Sequence, residues 1–183
     1  MFEKIDFKRS VASLKIKFEG NIFFDRYFIL LYPIILMAVA IIFLKADINL
    51  FSILSLLLTI GVLLLWIYNI HINDKFTKVP FSGSFVELRK LIETELKKDG
   101  WFIYRSNSQL INAGKSGKWF VGCVITILFH NKSILINARN MDGAKGYFPF
   151  SFGRNKRLTD KLILFIKHNF IVPSGSLAED SEV

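Results

Sequence analysis

The sequence predicts an α+β membrane protein: a transmembrane two-helix hairpin, then a helix, an antiparallel sheet of four or five strands, and a closing helix. Three observations carry this. Residues 27–44 and 50–70 hold no Asp, Glu, Lys, Arg or His, and each run has about the 17–25 residues a helix needs to cross the hydrocarbon core. Neither run has the polar face of a soluble helix. Downstream of residue 84 the hydrophobic period is first helical, then extended, then helical again.

Lipid offers backbone groups no water, so a spanning segment satisfies them internally as a helix. Residues 45–49 (KADIN) are too few for anything but a reversal, so the spans run antiparallel. The charge of +9 sets their orientation. Lys4, Lys8, Arg9, Lys15, Lys17 and Arg26 precede the first span, and seventeen further Lys and Arg follow His71, while the hairpin loop holds Lys45 beside Asp47. Cations mark the cytoplasmic side, which places both termini in the cytosol. Tyr27 and Tyr32 at one end and Trp66 and Tyr68 at the other form an aromatic belt on that same side. The small residues at Ala38-Val39-Ala40 resemble a signal-peptide cleavage site, but the apolar run continues past them and the polar stretch before it is long, which fits an anchor. A single cysteine, Cys123, permits no internal disulfide and suits a cytosolic domain.

Residues 1–26 form a basic amphipathic segment. Phe7, Val11, Leu14 and Phe18 share a helical stripe flanked by Lys4, Lys8 and Lys15, the build of a helix lying in the headgroup layer. The alternation over residues 14–19 also supports a short strand, and the interfacial helix is favoured. Within the hairpin, Ser52, Ser55 and Thr59 recur at helical spacing and are expected to pack against the first span or a neighbouring copy. Pore lining is the less common alternative. Neither span carries the buried charge that marks an ion path.

Residues 71–84 read as a linker punctuated by Pro80 and Gly83. Ser84 with Glu87 makes a capping box for a helix that buries Leu88, Leu91, Ile92 and Leu96 and stops at Asp99-Gly100. Strands are expected over 101–105, 109–113, 118–129, 134–139 and, shorter, 147–150, with a hairpin turn at 130–133. A last helix over 156–170 buries Leu158, Leu162, Phe165 and Ile166. The cytosolic domain therefore spans 85–172, and the acidic tail 173–183 is expected to be disordered. Strand 118–129 is apolar on both faces. Trp119, Val121, Ile125 and Ile127, which share a face with Cys123, form a candidate interaction face, because two helices can cover only one side of the sheet. Candidates to cover the second side are the N-terminal segment, another protomer, a partner protein or the membrane.

Few residues point to chemistry. Ala113-Gly114-Lys115-Ser116 resembles the end of a phosphate-binding loop but lacks the first glycine and the following helix, so a plain turn is expected. His71, His130 and His168 have no ligand spacing, so no metal is expected. Cys123 sits among apolar neighbours, the setting of an inert thiol. Glu93 and Glu95 lie about 200° apart on their helix and form no catalytic pair. Gly153-Arg154-Asn155-Lys156-Arg157 differs: it sets three cations where the helix dipole disfavours them, which makes an anion-binding candidate for a lipid headgroup, a nucleotide or an acidic surface. Solvated charge is its ordinary alternative. No enzyme signature, cofactor or nucleic-acid partner is expected.

Ser151-Phe152-Gly153-Arg154-Asn155-Lys156, after the strand pair 124–129 and 134–137, resembles an S-[WF]-G-[RK]-N-K step found in small two-span membrane proteins common in Bacteroidota. The resemblance covers roughly residues 85–170. It implies an architecture and a bacterial inner membrane and carries over no catalytic residue. The function expected is non-enzymatic: an inner-membrane anchor whose cytosolic domain binds a partner protein, of immunity or regulatory type, or a further copy of itself. The alternative is a two-span effector that senses an anionic lipid or nucleotide and permeabilises the membrane.

Overall fold

The computed structural model describes residues 4–20, 27–46, 48–117, 121–142 and 150–170. The described residues form five α-helices and one five-stranded antiparallel sheet. After the short helix α1 (Phe7–Ser13), a single 3₁₀ turn at Phe28–Leu30 leads into α2 (Leu31–Ala46), and α3 (Leu50–Asn73) returns beside it. Phe28–Lys45, which takes in the 3₁₀ turn and nearly all of α2, and α3 are each long and apolar enough to cross a membrane, and only 11% of each apolar window is buried. Low burial separates them from the core helix of a soluble protein, whose apolar residues would be packed away. Asn49 caps α3 by accepting from the Ser52 N–H at 2.9 Å, and the Ser52 hydroxyl meets the Asn49 N–H in return, a capping box.

The sheet follows in the order β1-β5-β4-β3-β2, with β1 at Thr77–Pro80, β2 at Phe102–Ser106, β3 at Leu110–Lys115, β4 at Val121–His130 and β5 at Ser133–Asp142. Asn131 and Lys132 take positive φ of 37° and 54° in the two-residue turn joining β4 to β5, the turn that matches strand twist. The helix α4 (Phe85–Lys98) starts at the Ser84 cap and closes at Gly100, whose φ of 77° only glycine adopts freely. The last helix, α5 (Arg154–Phe170), begins two residues before the sequence pattern predicts. Leu88, Ile92 and Leu96 of α4 and Leu162 and Ile166 of α5 pack with Ile111, Ile125, Ile127, Ile134 and Ile136 into the main core on one sheet face.

The opposite face is covered from within the chain. Ile5, Ile16 and Phe18 join Phe76, Leu110, Leu128 and Leu135 in a second core, with Phe7 and Val11 packed at its side. The N-terminal segment reaches there as a small closed unit. Ile5 bridges Phe18, α1 lies between them, and the fully buried Ser10 donates to the Lys17 carbonyl and accepts its N–H. The expected headgroup helix is therefore corrected: its apolar stripe lies on protein, and Leu14, in left-handed backbone at φ 51°, is the stripe residue left exposed. A helix this short has little stability of its own in water or at a membrane; the sheet holds it.

The expected linker is corrected as well. α3 runs on to Asn73 and β1 begins at Thr77, already paired to β5 with Thr77 opposite Ile136. Pro80 sits at the end of this edge strand, where a missing donor costs least, and Phe81 is buried in the main core. The strand expected at 147–150 falls mostly outside the described residues, and Phe150 itself is not in a strand. The acidic tail also falls outside them.

Candidate functional site

The end of α3, the β4–β5 end of the sheet and the start of α5 meet in a cluster of asparagines. The Asn137 amide donates to the carbonyls of Asn73 at 2.7 Å and Lys75 at 2.8 Å. Asn155 Nδ2 donates to Asn73 Oδ1 at 3.4 Å. Asn140 Nδ2 donates to the Phe150 carbonyl at 2.6 Å, and its Oδ1 accepts from Arg154 Nη2 at 2.7 Å. Asn137, Asn140 and Asn155 are buried, so these bonds work where water cannot replace them. Together they join the second apolar helix to the sheet without a hinge.

Of the five residues in the predicted anion site, the structure turns two inward. Arg154 is half-buried and also donates to the Gly122 carbonyl at 3.1 Å, while Asn155 lies 3.9 Å from the Cys123 thiol. The Arg154 N–H is given to the Ser151 carbonyl. Gly153, at φ 77°, shapes the turn, and only Lys156 and Arg157 send exposed charge outward. Arg157 also donates to the Phe152 carbonyl at 3.4 Å. Arg154 is thus committed to bonds within the fold, and Lys156 and Arg157 are the two cations of the cluster left exposed.

The predicted interaction face is corrected. Ile125 and Ile127 lie against α4 and α5 in the main core, 2% and 0% exposed. Trp119 and the Val121 side chain fall outside the described residues. In the hairpin, Ser52 and Thr59 are buried and Ser55 is half-buried. Thr59 donates to the Ser55 carbonyl at 2.7 Å, and Ala40 is buried on α2. The hydroxyls thus turn toward the helix pair.

Among the described residues no reactive centre takes shape. Burial pushes the Cys123 thiol up to about 11, against a partial opposing pull from Arg154, so the thiolate nucleophile is scarce at neutral pH. Among the described residues no group of three His, Cys, Asp or Glu could hold a metal. Gly114 and Lys115 belong to strand β3, and Lys115 reaches the Asp99 carbonyl, so the segment is neither a phosphate loop nor the expected turn. A hollow of about 60 Å³ lies between α4 and α5, lined by Glu95, Trp101 and Leu162 and crossed by the Lys161–Asp99 ion pair. That volume suits water, well short of the roughly 300 Å³ of a small-molecule site.

No family model, no curated protein and no solved structure is similar to this chain.

The asparagine junction was not foreseen from sequence. Its trace there is the run Ile134–Asn140, where Asn137 and Arg139 on one face and Asn140 on the other interrupt a buried strand whose remaining residues are apolar. A polar side chain on each face of a buried strand requires a partner on each side of the sheet.

Proposed function

We propose that this chain is a two-span protein of a bacterial inner membrane, with both termini in the cytosol, that holds a small non-enzymatic domain against the bilayer for a protein partner of immunity or regulatory type. The hingeless union of α3 with the sheet carries this reading: Asn137 bonds to the carbonyls of Asn73 and Lys75 at 2.7 and 2.8 Å. A tethered enzyme gains from reach, whereas a domain fixed to a span presents one surface at one height and angle. With both sheet faces covered, the partner surface moves to the outer edge of β2. That strand pairs only with β3 among the described strands, and its Phe102 is 68% exposed. An edge strand with an exposed aromatic is a template for strand addition.

The test is purification of the full-length protein from native membranes in mild detergent, followed by mass spectrometry of proteins and small molecules. A stoichiometric second protein that Phe102→Lys releases is the expected result. A co-purifying nucleotide without a second protein would overturn it in favour of the permeabilising effector. Loss of membrane potential on induced expression would point the same way. The two observations that favoured the effector have shifted, since Arg154 is bonded inside the fold and Ser52 and Thr59 face the helix pair.

A further inference from the structure

Outside the two apolar helices, the most exposed large apolar side chain among the described residues is Phe152, at 84%. It also holds a backbone φ of 46°, followed by Gly153 at 77°. Glycine or asparagine adopts such a conformation cheaply, whereas an aromatic residue is strained there. Among the described residues, the one ring Phe152 meets is the neighbouring Phe150, stacked at 6.2 Å and 29°. Phe150 in turn meets Trp66 of α3 edge-on, with centroids 5.9 Å apart. Three aromatic rings therefore run in an unbroken row from the second span onto the loop before α5.

Depth along α3 locates this row. At about 1.5 Å per residue, a hydrocarbon core of about 30 Å takes roughly 20 residues, which counted from Leu50 ends just beyond Trp66. That is the level at which aromatic residues gather in membrane proteins. The loop is also held firmly. Asn140 grips the Phe150 carbonyl and Arg154 grips Asn140. In the turn that follows, Lys156 and Arg157 are exposed, and cations at this level meet the negative surface of the cytoplasmic leaflet.

We infer that the Phe150–Arg157 step is a membrane-interface anchor, in which Phe152 enters the boundary between headgroups and acyl chains while Lys156 and Arg157 lie among anionic headgroups. This rests on the reading that α2 and α3 span the bilayer. The anchor is a second attachment of the domain, on the α5 side of the first at Asn73, and it fixes the tilt of the sheet over the membrane.

The experiment uses the full chain in nanodiscs of mixed zwitterionic and anionic phospholipid, in a Cys123→Ala background. Spin labels are placed singly at Phe152→Cys, Leu57→Cys in mid-span and Leu164→Cys on α5. Collision rates with oxygen and with a water-soluble nickel chelate then report depth. Position 152 is expected to favour oxygen, as position 57 does, while position 164 favours the chelate. A companion label at Lys156→Cys leaves Phe152 in place. There Phe152→Gly, which relieves the strained φ, is expected to raise chelate collisions severalfold. If position 152 matches position 164 while position 57 is lipid-like, the anchor is wrong and the spans stand. If position 57 is aqueous as well, the spanning reading fails and the anchor with it. Unchanged collisions at position 156 on Phe152→Gly would also overturn the anchor.

Discussion

Single side chains decide where this fold tolerates change. Cys123 is the one thiol in the chain and is 6% exposed. Burial raises it from 9.0 to about 11, so the folded state holds the thiol proton more tightly than the unfolded chain does. The stability this contributes is fully present below pH 9.0 and is lost as the pH rises toward about 11. Maleimide at neutral pH should label Cys123 only after denaturation, and Cys123→Ala should flatten part of the loss of thermal stability above pH 9.0. Labelling of the native protein at the rate of an exposed cysteine would contradict this burial. Gly114 shows another constraint. A Cβ there would stand 2.3 Å from the Tyr104 hydroxyl oxygen and 2.4 Å from its ring, so Gly114→Ala must displace that ring. Overpacking of this kind costs roughly 1–3 kcal/mol. Denaturant titration should find Gly114→Ala destabilising alone and far milder combined with Tyr104→Ala, because the two changes share one contact. Equal costs in both backgrounds would show that the ring is not what the new methyl meets.

At the scale of elements, the N-terminal segment belongs to the sheet, and the cleanest measure is a pair of neighbours. Ile16 is 0% exposed in the second core and Leu14 is 44% exposed in left-handed backbone. Truncating a buried Ile costs about 2–5 kcal/mol, so Ile16→Ala should lower stability by that order while Leu14→Ala stays within about 0.5 kcal/mol. A headgroup helix would give the reverse, with Leu14 on its lipid stripe and Ile16 off it. Denaturant unfolding of both variants in one detergent decides between them. The same comparison shows which elements were legible. α4 carried its start, its stripe and its stop locally, in Ser84, Leu88-Leu91-Ile92-Leu96 and Gly100, and the structure places it there with Leu88, Ile92 and Leu96 buried and Leu91 half-buried. Strand β1 was hidden because Lys78 and Pro80 read as linker residues, and its partner Ser133–Ile136 lies far along the chain. The cover over the second sheet face appeared among several candidates. Choosing between them needed the contact of Ile16 and Phe18 with Leu128 and Leu135, a long-range pairing that periodicity cannot report. The predicted anion cluster was legible only in part, for a related reason. A run of cations shows charge, but the inward reach of Arg154 to Asn140 depends on a strand that precedes it by more than a turn of chain.

For the whole molecule, the contacts fix sidedness before any membrane is considered. The backbone of Ile16 donates to the Asp74 carbonyl and that of Phe76 to the Leu14 carbonyl, at 2.9 Å each, and Lys15 bridges Lys75. The N-terminal segment, the end of α3 and the sheet are therefore one body, and the turn around Ile48 lies at the other end of the helix pair. If α2 and α3 span the bilayer, Leu14 and Leu164 must share a side and Ile48 must take the opposite one. The excess of Lys and Arg around the sheet and the N-terminal segment is the basis for proposing the cytosol as that shared side. Leu14, Ile48 and Leu164 are all exposed, at 44%, 78% and 66%, so each accepts a single reporter cysteine in a Cys123→Ala background. In intact spheroplasts a membrane-impermeant maleimide should label Ile48→Cys at once, and Leu14→Cys and Leu164→Cys only after permeabilisation. The opposite pattern would invert the orientation and leave the fold untouched. Labelling that separated Leu14→Cys from Leu164→Cys would break the fold itself, because the backbone bonds between residues 14–16 and 74–76 do not allow a bilayer between them.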